Sequence, residues 1–535
     1  MSENYDYVIV GAGTAGCVLA NRLTASSRYS VCILEAGPMD RHPLIHIPAG
    51  FVYTVRDKRV NWLYQSEPCD NILGRQTSQP RGKVVGGSGS INGHIFNRGQ
   101  ASDYDGWQAR GNPGWGYQDV LPYFKKLETY HGDGDPEYRG NSGPFQVTDL
   151  DWQHPLIDKF IEAANSIGIP TNSDYNGADQ TGIACAQRSI YKGLRMSPAK
   201  AYLHPARKKG KVDLRTHCLI DRILFDGDRA TGVRYVQDGR TKTVKANKEV
   251  IISAGVFNSP QLLQLSGIGP HHLLNSMGIE VIADLPGVGE NLRDHCYAPV
   301  SVKVKNVRSL NERAQGVSLL KEVIQYAFTR KGVPAMQPSL VYASWKSDPQ
   351  LPSNDIQISY SPASYDANKD MKLNPYPGAT CAPWQHNPNS KGYVRIRSRE
   401  IQDSPSIQMN WLDDEVDRKV LVEALKISRR IFQAAPFAEF YDCEDQPGDP
   451  VQTDEEWLAY AKENASTTYH PVGTCRMGPD SDKSAVVDHQ LRVKGVRGLR
   501  VVDASIMPRV PSGNTNAATL MLAEKGADMI LNDNQ

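Results

Sequence analysis

The first thirty-five residues narrow the possible folds more than any other stretch. Val8, Ile9 and Val10 form a short β-branched run of the kind buried in a parallel sheet. Gly11 ends the run, and Gly13 and Gly16 complete a G-x-G-x-x-G pattern that opens a helix-forming segment over 15–23. Strand, glycine turn and helix start follow in the order of a dinucleotide-binding βαβ unit. Gly11 makes the sharp turn, Gly13 lets backbone approach a pyrophosphate, and Gly16 lets helix and sheet pack closely. The phosphates would meet unpaired N–H groups at the positive end of a helix. A second run, Val31 to Leu34, closes the unit at Glu35, which can accept hydrogen bonds from a ribose diol. A glutamate there, in place of an arginine, favours an unphosphorylated ribose, so FAD or NAD ahead of NADP. The pattern alone also occurs in ordinary glycine turns; the strand, helix and acid in register give it meaning.

The 535 residues can bury a large core and are expected to divide into at least two domains. The formal net charge of +1 gives no sign of a nucleic-acid partner or of strong attraction to anionic lipid. No apolar run approaches the ~20 residues of a membrane span. The first strand starts too early to leave room for a signal peptide. A cytoplasmic protein is expected, with peripheral attachment to the inner membrane left open. The nine cysteines are scattered, without a C-x-x-C pair, and read as buried free thiols. The 13 histidines show no H-E-x-x-H or H-x-H spacing, so no metal is expected.

Residues 36–80 read as a long surface excursion anchored by Trp62 and Tyr64. The glycine- and serine-rich stretch 86–93 cannot be an ordinary core helix, since glycine costs about 1 kcal/mol per interior helical position. It suits close approach of backbone to a bound group, and the interleaved Val84, Val85, Ile91, Ile95 and Phe96 argue against a solvated linker. Helices are expected over 117–130, 157–167, 259–266, 416–434 and 517–531, and a capping box at Thr453 and Glu456 opens another. A hairpin is expected with strands 220–225 and 232–236. Alternating strands at 355–360 and 392–398 suit a half-exposed antiparallel sheet. Residues 361–390, rich in proline, read as a loop that could cover a site.

Taken together, these residues resemble the glucose–methanol–choline (GMC) flavoprotein oxidoreductases nearly end to end. The likeness rests on Gly11–Gly16, on the 82–105 segment, on Ser259-Pro260 with 266–269, and on the carboxy-terminal runs 469–478, 502–505 and 513–516. Within the family the chain looks most like bacterial dehydrogenases for sorbose, aliphatic alcohols and polyethylene glycol. The resemblance implies an α/β (α+β overall) fold. A discontinuous Rossmann-like FAD-binding domain would take 1–155, 200–300 and 465–535. A substrate domain of antiparallel sheet plus helices would take 156–199 and 301–464. By motif match, Gly11, Gly13, Thr14, Ala15, Gly16 and Glu35 would hold the ADP half of FAD. Val85, Ser88, Asn92 and Gly93 would line the isoalloxazine, with Ile220 near the adenine. Asp503 and Ala504 would face the ribityl and pyrophosphate, with Asn514, Thr515 and Asn516 near the pyrimidine ring. Ile91 stands where some relatives carry a flavin-linking histidine, which implies non-covalent FAD. Val256 replaces a smaller residue, and His94 is either a structural histidine or one close to the ring.

Alcohol oxidation removes a proton from oxygen and a hydride from carbon, and a neutral imidazole suits the first task near neutral pH. His470 alone would read as a structural histidine; the resemblance makes it the catalytic base. Asn514 matches a second catalytic position, and its amide can both accept and donate a hydrogen bond. The implied reaction oxidises a small-molecule alcohol to an aldehyde or ketone. The electrons pass to a non-nicotinamide acceptor: a quinone, a cytochrome, a dye or oxygen. An alcohol oxidase and a non-redox cyanohydrin lyase are the alternatives within the family, and a soluble NAD-binding or structural protein the alternative outside it. Oligomeric state and substrate identity are left open.

Overall fold

The computed structural model describes residues 3–210, 212–366 and 372–533. The first of its two large sheets is built from β1 (Glu3–Val10), β2 (Val31–Leu34), β3 (Val212–Arg215), β4 (Leu219–Asp226), β5 (Arg229–Gln237), β6 (Arg240–Ile252) and β7 (Leu499–Val501). Their order is β3-β2-β1-β6-β5-β4, with β7 also on β6. The pairs β1–β2, β2–β3, β1–β6 and β6–β7 are parallel, whereas β4, β5 and β6 run antiparallel. Val8, Ile9, Cys32 and Ile33 are fully buried, as continuous apolar runs covered on both faces must be.

Three helices reach the space between the sheets or its rim, α1 (Thr14–Leu23), α2 (Gly316–Thr329) and α4 (Thr515–Asp533), while α3 (Glu415–Gln433) packs on the second sheet. The turn from β1 into α1 admits only glycine. Gly11 has φ +97°, and a Cβ there would lie 2.5 Å from the Ser253 carbonyl oxygen. A Cβ on Gly16 would lie 2.0 Å from the Gly11 carbonyl oxygen, so α1 presses directly on the strand end. α4 packs along α1, and Arg22 donates to both oxygens of the buried Glu524 at 2.7 Å.

The second sheet has eight strands, all antiparallel, centred on 378–385, with 300–304 on one side and 356–361 on the other. The strands 341–345 and 182–185 extend it. α3 covers one face with Val420, Leu425, Ile431 and Phe432. The helix Pro155–Ser166 joins it, and Phe160 stacks on Tyr360 with ring centroids 3.8 Å apart. The capping box at Thr453 forms, with Glu456 Oε2 accepting from the Thr453 N–H at 2.8 Å.

Some expectations are corrected. Residues 361–390 are not one loop: Gly378–Gln385 is a buried central strand. Its Pro383 lies past the 378–381 stretch that pairs with 300–303, so the missing N–H costs no bond on that side. Residues 367–371 of that expected loop lie outside the described residues. The strand expected at 392–398 is only Tyr393–Arg395 and pairs with Ser406–Gln408 apart from the main sheet. The helix from Tyr117 ends at Leu127, and 128–130 pairs instead with 145–147. Cys185 and Cys443 are exposed, against the expectation of burial.

Candidate active site

A cavity of about 1530 Å³ lies between the two sheets. One end is walled by Gly11, Gly13, Thr14, Ala15 and Glu35, the strand-to-helix turn of the first unit. Ser88, Asn92 and Gly93 join the wall, as do Ile220, Asp503 and Ala504. Asn514, Thr515 and Asn516 bring in the start of α4, so the N-terminal ends of α1 and α4 open on the same space. Thr14 Oγ1 donates to Asn516 Oδ1 at 3.2 Å, tying these two ends together.

Two expected residues are off the wall. Gly16 is buried in the contact between α1 and β1, where it acts by packing. Val85 is fully buried in the first core; its N–H donates to the Pro38 carbonyl at 3.0 Å and its carbonyl accepts from Ser90 Oγ at 2.8 Å. Glu35 accepts from the Ala12 and Gly37 N–H groups at 2.9 and 2.8 Å, and burial pushes its pKa up to about 7. Each carboxylate oxygen keeps a lone pair for a ligand hydroxyl. The Asp503 carboxylate is taken by Gly255, Ser259 and Ser505, so it braces the wall. Asn92 Oδ1 accepts from Arg195 at 2.7 Å. His94 is buried with Nε2 3.0 Å from the Pro48 carbonyl, and burial holds its pKa well below the usual value; it is a structural tie at the cavity edge.

His470 and Asn514 meet: Asn514 Nδ2 is 2.8 Å from His470 Nε2. The other ring nitrogen, Nδ1, lies 2.8 Å from Thr468 Oγ1 and 3.1 Å from His295 Nδ1. His295 Nε2 is 2.6 Å from the His386 carbonyl oxygen. A carbonyl only accepts, so His295 carries its proton on Nε2 and, being neutral, offers a lone pair at Nδ1. His470 therefore holds its proton on Nδ1, and its Nε2 lone pair faces Asn514 and the cavity. The same assignment makes the Asn514 atom facing Nε2 its amide nitrogen, leaving Oδ1 buried without a partner.

The backbone around His470 is fastened. Its N–H donates to Asp294 Oδ1 at 2.8 Å, and Asp294 Oδ2 accepts from Thr467 Oγ1 at 2.5 Å. Tyr469, at φ +68°, gives its carbonyl to Arg81 at 2.9 Å. Burial drives the His470 pKa well below 6.5, with His295 and Arg81 adding to the effect. Burial likewise lowers His295 to about 4 and raises Asp294 to about 7. Trp384 sets its ring 6.0 Å from His470. Tyr297 and Tyr365 continue this aromatic wall. Among the described lining residues only Glu35 and Asp503 are acidic, whereas Arg56, Arg75, Arg81 and Lys372 are basic.

Sequence reasoning missed His295, Thr468, Asp294 and Trp384. The single local signal was Asp294-His295 after the glycine turn at 287–289, and a dipeptide is too common to carry a role. The residues present fit a flavin dinucleotide. A Cβ on Gly13 would meet nothing closer than 3.9 Å, so backbone is laid open to the cavity there. At the other end the orphaned Asn514 Oδ1 awaits a partner.

Two family models, each described as GMC oxidoreductase, match residues 5–297 and 388–523. An oxygen-dependent choline dehydrogenase of Rhizobium johnstonii is 42% identical over 532 residues, 98% of this chain and 95% of that protein. The mitochondrial choline dehydrogenase of Homo sapiens is 41% identical over 544 residues, 99% of this chain and 90% of the human protein. Among solved structures, pyridoxine 4-oxidase from Mesorbium loti superposes with a TM-score of 0.88 at 29% identity, covering 98% of both chains. A formate oxidase variant of Aspergillus oryzae, studied for FAD modification, gives 0.92 at 26% identity over 99% of both chains.

Proposed function

The chain belongs to the GMC oxidoreductase family and is an FAD-dependent enzyme acting on the CH–OH group of donors; within that reaction we propose that His470 takes the hydroxyl proton while Asn514 orients the hydroxyl. The observation that carries this reading is the Nε2 lone pair of His470, held toward the cavity 2.8 Å from an amide donor. FAD, when bound, supplies the hydride acceptor. Gly11, Gly13, Thr14, Ala15 and Glu35 would hold its ADP half, with Ile220 beside the adenine. Ser88, Asn92, Gly93, Asp503, Ala504, Thr515 and Asn516 would hold the remainder. With Ile91 on the wall in place of a histidine, the flavin is held non-covalently.

An arriving alcohol would donate its O–H to His470 Nε2 and accept from Asn514 Nδ2, replacing the direct bond between the two. Because His470 is neutral at pH 7, it is ready to take the proton as the carbinol carbon is oxidised. The positive end of α4 stabilises negative charge arising in the cavity. The segments 1–155, 200–300 and 465–535 would serve the cofactor, and 156–199 with 301–464 the substrate.

The two curated relatives are choline dehydrogenases, whereas the solved structures are named for pyridoxine and formate. In this chain the wall beside His470 is aromatic and lacks an acidic partner among the described residues, and Arg56 and Arg81 add positive charge. Aromatic faces attract a quaternary ammonium, but nearby guanidinium groups oppose it. We therefore favour a neutral alcohol over a cationic one. Electrons leave to a non-nicotinamide acceptor, and we place the enzyme in the cytoplasm, in keeping with its unpaired thiols.

The test is anaerobic bleaching of the purified yellow enzyme by sugar, aliphatic, aromatic, polyether and choline alcohols. His470→Ala should slow bleaching by roughly 10²-fold or more; near-normal reduction would refute the assignment. Peroxide detection in air decides whether oxygen is the acceptor.

A further inference from the structure

α2 is built inside out. Its inward face carries Glu322 and Tyr326, both buried. Glu322 pairs with Arg313 at 2.6 Å and accepts from the Val333 N–H at 3.0 Å, and Tyr326 donates to the Gly193 carbonyl at 2.8 Å. The opposite face carries Val317, Leu320, Ile324 and Phe328, which at 100° per residue form one stripe. All four are exposed, Val317 at 71% and Phe328 at 86%. Such a stripe normally turns to the core; here polar bonds fix the helix so that it cannot.

The stripe does not stand alone. The turns Pro48–Gly50 and Val333–Ala335 touch, bringing the exposed Val52 and Tyr53 to the same side. Both of these residues line the cavity, as do Gln315 and Leu319 of the helix segment, so the apolar patch rims its mouth. The exposed charges along 316–331 are Lys321, Arg330 and Lys331, and the turn after Tyr53 adds Arg56 and Lys58, while Arg59 is neutralised by its ion pair with Asp57. Of the acids within these two segments, Glu322 is buried and Asp57 is bound by Arg59. A second copy placed face to face would bring one basic rim against another.

We propose that α2 and the 51–59 turn dock the enzyme on an anionic lipid surface. The apolar stripe would lie in the headgroup boundary with the basic residues on lipid phosphates. The near-zero net charge conceals this local excess. Docked in this way, the cavity mouth faces the bilayer, and a lipid-soluble alcohol or acceptor enters without crossing water.

The test is flotation of the full-length, FAD-loaded enzyme with phosphatidylcholine–phosphatidylglycerol vesicles, against phosphatidylcholine alone. The enzyme should float with the anionic vesicles and less with the neutral ones. Leu320→Ser with Phe328→Ser should cut the bound fraction about tenfold or more. Arg330→Glu with Lys331→Glu should abolish the preference for anionic lipid. All variants should keep the soluble rate of alcohol-driven dye reduction, which reports folding, since none of these positions lines the cavity. Absence of flotation with either vesicle would overturn the proposal. So would a dimer in light scattering that Leu320→Ser with Phe328→Ser turns into monomer, which would make the face a contact between copies.

Discussion

His295 Nδ1 lies 3.1 Å from His470 Nδ1, so one proton serves two imidazoles. The carbonyl of His386 fixes the proton of His295 on the far side, and that in turn fixes the proton of His470. Orientation of the base thus originates at His386, just past the end of the second sheet's central strand and two residues removed from the reacting atoms.

Replacing His295 by Phe keeps a ring in the space but removes the acceptor. His470 then has only Thr468 at Nδ1 and samples both tautomers. The expected loss in the anaerobic flavin-reduction rate is about tenfold, the worth of one neutral hydrogen bond. That is well short of the loss in His470→Ala. An unchanged rate would remove His295 from this role.

Acid should inhibit late. Burial lowers the His470 pKa well below 6.5, so its base form persists as pH falls and is lost only below its own depressed pKa. The acidic limb of kcat/KM is expected below pH 6.5, measured in buffers of constant ionic strength. A midpoint at or above that value would mean His470 is not the titrating base.

Asn514→Asp places a carboxylate beside the imidazole. An adjacent negative charge favours the imidazolium and raises its pKa. The acidic limb should move to higher pH while the flavin spectrum at rest stays intact. Asn514→Ala, by contrast, should lower kcat/KM about tenfold with little movement of the limb.

Gly16→Ala forces a methyl to within 2.0 Å of the Gly11 carbonyl. α1 must then lift from β1, at a cost of about 1–3 kcal/mol. Urea unfolding should register the loss, and the purified protein should carry less flavin. Full flavin content with unchanged stability would contradict the packing described for this turn.

The strand, turn and helix of the first unit were legible because each is a local pattern, and the buried runs around Ile9 and Ile33 admit few alternatives. His470 and Asn514 were legible only through resemblance, since neither has a neighbour in sequence that declares its chemistry. His295 and Trp384 were not legible. They reach His470 because Cys296 and Tyr297 pair with Thr467 and Ser466, and Tyr297 also with Trp384. No local pattern reports such a pairing. The strand 378–385 was hidden by its proline. α2 is harder still, because the spacing of Val317, Leu320, Ile324 and Phe328 is the signature of a core-facing helix, and only the bonds of Glu322 and Tyr326 turn it outward.

The pairing of β1 with β6 and of β6 with β7, and the clasp of Arg22 on Glu524, join the earliest part of the chain to the latest. During synthesis the nascent nucleotide site therefore stays half-built until the carboxy-terminal helix has left the ribosome. Contacts so distant along the chain form slowly. Flavin can be captured in full only after α4 has been made, and a polypeptide stopped short of α4 would emerge colourless.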